Sequence, residues 1–431
     1  MYLKGSKWSM NRKRKRPNWF GIILLCLLVL GGAYVDRFIV PNQPQFGVAS
    51  PTPTRSPESF VTEAQQFFKD GKLIFAIDSY QQAIISNPDD PAVYVALAKV
   101  QVFAGQYADA QKSAANALLL NPDNSMAYAV LAWTLGFQGE YDEAEKNIQR
   151  ALELDDKNAL AHAYYVEILV DSGSFDVIEK ATEESRVAVA LAPDTLETHR
   201  ARGIILEATQ NYEEAVREFK LAIEINPKIA DLYLSLGSNY RALGSYKDAI
   251  DAFASAISLN PQDPMPYYLT SRTYAQEGQY EKAQQYAKQA VDNDPSNTTF
   301  RGNLGVMYYV NFYFSEAIVE FGYVVNGGIT ADGKQIEALP LVPNDVYIAE
   351  YYYMYGLALA KSNKCSEALV VARTILERIP ADENAVQNAN AILSRCEQNL
   401  QQPPIPLPTS TGSAPDSTTI PLPSETPTPS P

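Results

Sequence analysis

This sequence predicts an all-α solenoid, a superhelix of stacked helix pairs, and three observations carry that prediction. A pattern of 34 residues recurs along most of the chain and is clearest in Ala230–Asp263. Within it Tyr233, Leu236, Gly237 and Tyr240 fall at i, i+3, i+4 and i+7, one face of a helix. Gly244-Ser245 breaks that period, and Ala249, Phe253 and Ala256 restart it as a second helix. Prolines then keep time at Pro88, Pro122, Pro193, Pro227, Pro261 and Pro295, each pushing the residue before it out of the α region and marking a helix boundary.

Taken in order, the chain opens on a basic stretch, residues 1–18, with Lys4, Lys7 and the run Arg12-Lys13-Arg14-Lys15-Arg16. An apolar run follows from Trp19 to Val35 and is extended by Phe38-Ile39-Val40. Seventeen helical residues span about 25 Å, slightly less than the ~30 Å hydrocarbon core, so residues 19–40 are predicted as a single transmembrane helix. The basic flank precedes the apolar run, which predicts a cytoplasmic N-terminus and an extracytoplasmic remainder. Gly31-Gly32-Ala33 would also suit cleavage as a signal peptide. Leu25 is too large for a lipoprotein cleavage site before Cys26, which reads as apolar filler. Residues 41–56 are rich in Pro, Ser and Thr and read as a semi-extended linker.

Repeats then run Pro57–Asp90, Pro91–Asn124, Ser125–Asn158, Ala159–Thr195, Leu196–Ile229, Ala230–Asp263 and Pro264–Asn297. The fourth carries three extra residues in its helix–helix turn. Repeats eight and nine are placed from Thr298 and from Ala349, 51 residues apart, so 17 residues are inserted around 326–346. Asp332-Gly333 within that insert, between short alternating runs, suggests a small hairpin. Its expected role is a surface loop, with a clamp between repeats or on a partner as the alternative. Asp382–Leu400 reads as a last amphipathic helix, and residues 401–431, again rich in Pro, Ser and Thr, cannot bury a core and are expected to be disordered.

Ala230–Asp263 resembles the tetratricopeptide repeat, matching its W…LG…Y…A…F…A…P pattern with Tyr233 in place of Trp. The resemblance covers about nine units over 57–400 and implies a right-handed superhelix, with the final helix as its solvating cap. It also implies that the first helix of each repeat lines a concave groove. The inward places then hold Phe103, Trp133, Phe137, Tyr164, Tyr268, Arg272, Tyr309 and Tyr353, with Phe68 and Val102 beside them and Glu167, Glu207 and Arg241 between. Aromatic anchors with scattered charge suit an extended or helical peptide. Packing of some of these residues on the next repeat is the competing reading. Relatives that grip a chaperone carboxylate use Lys and Asn at inner places where this chain has Val61, Gln65, Ala96 and Val130, so that mode is not expected.

No catalytic signature emerges, and no enzyme, cofactor or metal site is predicted. The chain lacks the phosphate-loop, nucleophile-elbow, zinc-protease and dinucleotide motifs. Its two histidines, His162 and His199, both occupy the fourth place of a repeat, where other repeats carry Tyr, so they read as packing. The carboxylates read as a solvated face. A formal charge of −15, despite seven basic residues before Trp19, argues against nucleic acid. Cys365 and Cys396 lie at the same edge of the terminal repeats, and an extracytoplasmic compartment would let them form a disulfide. Two unpaired small apolar residues are the alternative.

Together these features predict a single-pass, membrane-anchored interaction scaffold of a bacterial envelope, holding another protein or peptide in its groove. An accessory subunit of an envelope or glycan assembly system, binding a polysaccharide or lipid-linked substrate for a partner enzyme, is the alternative.

Overall fold

The computed structural model describes residues 55–173 and 177–401, together with Phe20, Ile23, Leu24 and 27–30. The chain divides into two units after Ser56. In the first, the described positions between 20 and 30 are helical. The basic tail, the rest of the predicted anchor, most of the 41–56 linker, residues 174–176 and residues 402–431 lie outside the described residues. Among the described residues no helix is long and apolar enough to cross a membrane.

The second unit is a run of antiparallel helix pairs: α1 (Pro57–Lys69) and α2 (Leu73–Ser86), α3 (Pro91–Phe103) and α4 (Tyr107–Leu120), α5 (Ser125–Phe137) and α6 (Tyr141–Leu154), α7 (Ala159–Asp171) and α8 (Ile178–Leu191). It continues through α9 (Leu196–Ala208) and α10 (Tyr212–Ile225), α11 (Ala230–Ala242) and α12 (Tyr246–Leu259), α13 (Pro264–Gln276) and α14 (Tyr280–Asn293), α15 (Thr298–Val310) and α16 (Phe314–Asn326). A hairpin, β1 (Gly328–Ile329) and β2 (Gln335–Ile336), then precedes α17 (Val346–Lys361), α18 (Cys365–Arg378) and α19 (Glu383–Gln401). The repeat residues explain these boundaries. Asp90, Asn124, Asn158, Asp263 and Asn297 each accept a hydrogen bond from the first turn of the following helix, and Pro91 and Pro264 sit where a missing N–H costs nothing.

Small residues set how closely the two helices of a pair approach. Ala76, Ala110, Ala144, Ala215, Ala249, Ala283 and Ala317, spaced by 34 residues except across the longer fourth repeat, are all at 0% exposure. Gly237 is small for the same reason, because a Cβ there would lie 2.5 Å from Cε1 of Phe253. The turn between paired helices requires a positive φ. Glycine supplies it in most repeats, but Gln210, Phe312 and Asn363 do so in three.

The insert closes the seam between α16 and α17. Gly328 pairs with Ile336 and Ile329 with Gln335, antiparallel. Ile336 is fully buried, Leu339 N–H donates to Val324 O at 2.8 Å, and Tyr352 donates its hydroxyl to Leu339 O at 2.9 Å. The ninth repeat's first helix starts at Val346, three residues before the repeat start read from sequence, because Asp345 caps it by accepting from Tyr347 and Ile348.

The helix most enclosed by its neighbours is α7. Every residue from Ala161 to Leu169 is buried, so this helix has no solvent face and packs against α5, α6, α8 and α9. The first repeats also meet the fifth and sixth. Phe68 and Phe103 pack on the cluster holding Leu196 and Leu232, Lys99 pairs with Glu197, and the Lys228 side chain lies over the Gly71 turn.

Candidate functional site

The inner residues singled out from the sequence fall into two groups with different surroundings. In the first half they make a continuous aromatic column. Ring centres of Phe68 and Phe103 are 5.5 Å apart, Phe103 and Trp133 5.2 Å, and Trp133 stacks on Tyr164 at 4.1 Å. Phe137 meets Trp133 edge-on at 5.5 Å and stacks on Tyr107 at 5.0 Å.

A buried polar chain runs beside the column. The Trp133 indole donates to Glu167 Oε2 at 2.7 Å. Glu167 Oε1 lies 3.2 Å from Arg200 Nε without hydrogen-bond geometry, and Arg200 Nη2 reaches Asp231 Oδ2 at 2.8 Å. The Arg200 guanidinium sits 5.5 Å from the Trp133 ring centre, a cation–π contact inside the protein. Burial pushes the Glu167 carboxyl up to about 7, against the opposing pull of Arg200 and the Trp133 hydrogen bond. Burial alone would lower the Arg200 pKa, but Asp231 and Glu167 outweigh it and raise it.

This geometry corrects the sequence reading. Trp133 and Tyr164, expected as exposed groove contacts, are at 1% and 0% exposure, and Phe103 and Phe137 are half-buried against them. The inward face of the first repeats is filled by its own side chains and covered by α9 and α11. Nor is Glu167 part of a solvated face, at 2% exposure. The histidines pack as the sequence suggests, each against a glutamate of its own repeat: His162 Nδ1 lies 2.5 Å from Glu184 Oε2, and His199 Nδ1 lies 2.7 Å from Glu218 Oε2.

The second half remains open. A cleft of 280 Å³ is lined by Arg272, Tyr280, Asn303, Met307, Glu350 and Tyr351, from α13, α14, α15 and α17. Arg272 donates to the Tyr268 hydroxyl at 3.1 Å and lies 4.4 Å from the Tyr347 ring centre. Burial holds the Glu350 carboxyl above the usual range, opposed by Arg272. Arg241 sits nearby with a buried Nε that has no hydrogen-bond partner; burial, and then the Arg272 charge, lower its pKa. Among the described residues neither Arg241 nor Arg272 has a carboxylate within ion-pair distance, whereas Arg200 and Arg301 are both paired. Tyr309 is half-buried with its ring edge-on to Phe314, beneath Lys361, and Tyr353 is half-buried near the capping helix. Tyr347 escapes the sequence reading because it lies in the turn gained by starting α17 at Val346, and the capping residue Asp345 is the signal that would have found it.

At the far end, Cys365 and Cys396 form a disulfide with Cα atoms 5.5 Å apart, joining α18 to α19.

Sequence profiles of the tetratricopeptide repeat match residues 67–134 and 240–302, a second such profile matches 200–264, and a third 127–158. The chain therefore carries tetratricopeptide repeats within an all-α solenoid. No curated relative matches it by sequence. Among solved structures it is similar to a tetratricopeptide repeat protein from Parabacteroides merdae, with 18% identity, 58% of this chain and 98% of that chain covered, and a TM-score of 0.39. It is also similar to PilW, a type IV pilus biogenesis factor, at 22% identity, 46% and 91% coverage and a TM-score of 0.42. Pseudomonas aeruginosa pilF gives 20% identity, 47% and 91% coverage and a TM-score of 0.40.

Proposed function

We propose that this chain is a non-catalytic, membrane-anchored scaffold that holds an extended segment of another protein along the inner side of repeats six to nine. The observation that carries the reading is the open cleft lined by Arg272, Tyr280 and Tyr351, with Arg241 nearby; among the described residues neither guanidinium has an ion-pair partner. A partially desolvated arginine held between aromatic rings gains most from a ligand that supplies the missing acceptors. Tetratricopeptide repeats commonly bind other proteins, which agrees with such a site.

Anchoring through residues 19–40 with the array outside the cytoplasm belongs to the same proposal. The basic residues before Trp19, the large exposed apolar side chains at Phe20, Ile23, Leu24 and Leu27, and the Cys365–Cys396 disulfide support it.

The test compares proteins retained from envelope extracts by the full chain and by its Tyr268→Ala/Arg272→Ala variant. One or more partners bound by the first and lost by the second, at unchanged helix content, is the expected result. Equal capture by both, or retention of polysaccharide in place of protein, would overturn it. External protease on spheroplasts should remove the array if the orientation holds.

A further inference from the structure

A second cleft lies on the outer side of the array and owes its existence to the insert. It encloses 460 Å³ between Pro340 and Leu341 on one wall and α18 on the other, with Tyr352 and Tyr355 beneath. Val370 stands in it at 62% exposure. Glu367 marks one end and Arg378 the other, and among the described residues neither has an ion-pair partner. None of its lining residues belongs to the inner cleft.

We infer that this outer cleft seats a proline-rich segment of the chain's own C-terminal tail, Ile420-Pro421-Leu422-Pro423, with Glu425 against Arg378. Three observations select this occupant. First, residues 402–431 lie outside the described structure, and the chain leads into them beside the cleft. Cys396 is bonded to Cys365, and Asn399 Nδ2 donates to Ala360 O at 3.0 Å, so α19 ends at the edge from which Glu367 begins the cleft. Second, the tail carries Ile-Pro-Leu-Pro twice, at 405–408 and at 420–423, and only the second copy is followed closely by a carboxylate, Glu425. Proline fixes φ near the polyproline II value, and such segments dock in aromatic-lined grooves at low entropic cost.

Third, the lengths agree. Val370 to Arg378 spans about 12 Å along a helix, and Ile420 to Glu425 about 15 Å in polyproline geometry. The nineteen residues from Gln401 to Ile420 can extend to roughly 60 Å, so the second copy reaches the cleft without strain. The tail would run parallel to α18, covering Val370 and placing the Glu425 carboxylate on the guanidinium that the fold leaves unpaired.

The test uses the full chain with a photo-crosslinking residue in place of Ser424. Because a tethered segment acts at an effective concentration near millimolar, even a weak seat should give high yield. Adducts within the same chain on residues 367–378 are expected. Arg378→Glu or Glu425→Arg should each lower that yield at least fivefold, and the two together should restore it. The melting temperature of each variant should stay unchanged, since both side chains are exposed or lie in the tail. Adducts scattered over the surface, adducts on the inner cleft, crosslinks between two copies, or no rescue by the charge exchange would overturn the inference.

Discussion

Trp133 and Glu167 stand 34 residues apart in sequence, at the same place of adjacent repeats, and are joined by an indole-to-carboxylate hydrogen bond of 2.7 Å. The bond ties α5 to α7 inside the buried core of the first repeats. Trp133 packs at once on Phe103, Phe137 and Tyr164. Trp133→Ala should therefore destabilise the array by about 3–5 kcal/mol, the range for emptying an aromatic core site. Urea unfolding of the variant measures this. A loss under 1 kcal/mol would return Trp133 to the role of a surface contact.

Glu167 should also give the array a pH-dependent stability. Its carboxyl is raised from 4.5 to about 7 in the folded chain, so between those values the folded state binds more protons than the unfolded one. Stability then falls as pH rises from 4.5 to 7 and stays at the lower level above that. A shift of this size corresponds to about 3 kcal/mol at most. Trp133, Arg200, Asp171 and Asp231 all act on this carboxyl. His162 acts in the same direction: its folded pKa is raised, so its contribution is complete below about 6.5 and lost as pH climbs through the folded value. Glu167→Gln should flatten the fall of melting temperature between pH 5 and 7.5, and His162→Gln should leave the Glu167 part in place. An unchanged slope in Glu167→Gln would assign the dependence elsewhere.

The helix pairs were legible in the sequence because close helix approach demands small residues at fixed places, and this chain repeats Ala and Gly there. The curvature was not. A 34-residue register tells which side chains turn inward, but not whether they meet solvent or each other. The clue was local: Ala161-His162-Ala163-Tyr164-Tyr165-Val166 offers no polar stripe, and a helix without one is buried on all sides. Reading it would have moved Trp133 and Tyr164 from groove to core. Arg272, with Tyr268 beside it, remained at an open cleft, where among the described residues no other repeat packs over it.

Gly237 tests the close-packing argument directly. Its missing side chain leaves room for the Phe253 ring, and a methyl group there would need that ring to move. Gly237→Ala should cost about 1–3 kcal/mol despite the better helix propensity of alanine. Adding Phe253→Leu should recover part of that loss, and a double-mutant cycle would show the coupling. Strict additivity of the two changes would mean that the ring is not what excludes the methyl group.

The Cys365–Cys396 disulfide acts at the last interface of the array, where a solenoid has neighbours on one side only. Each repeat of such a fold is held by the next, so the terminal helix depends chiefly on α17 and α18. The bond closes a loop with a sequence separation of 31, for which chain entropy gives roughly 3–4 kcal/mol. Cys396 is also buried at 1%, so its alkylation requires α19 to open. Reductant should therefore lower the first unfolding transition and speed proteolysis within 383–401, while the earlier repeats keep their protection in hydrogen exchange. Cys365→Ala/Cys396→Ala should show the same local loosening and no further response to reductant. If reduction instead lowered the stability of every repeat equally, the array would unfold as one cooperative block and the bond would not be a local clasp.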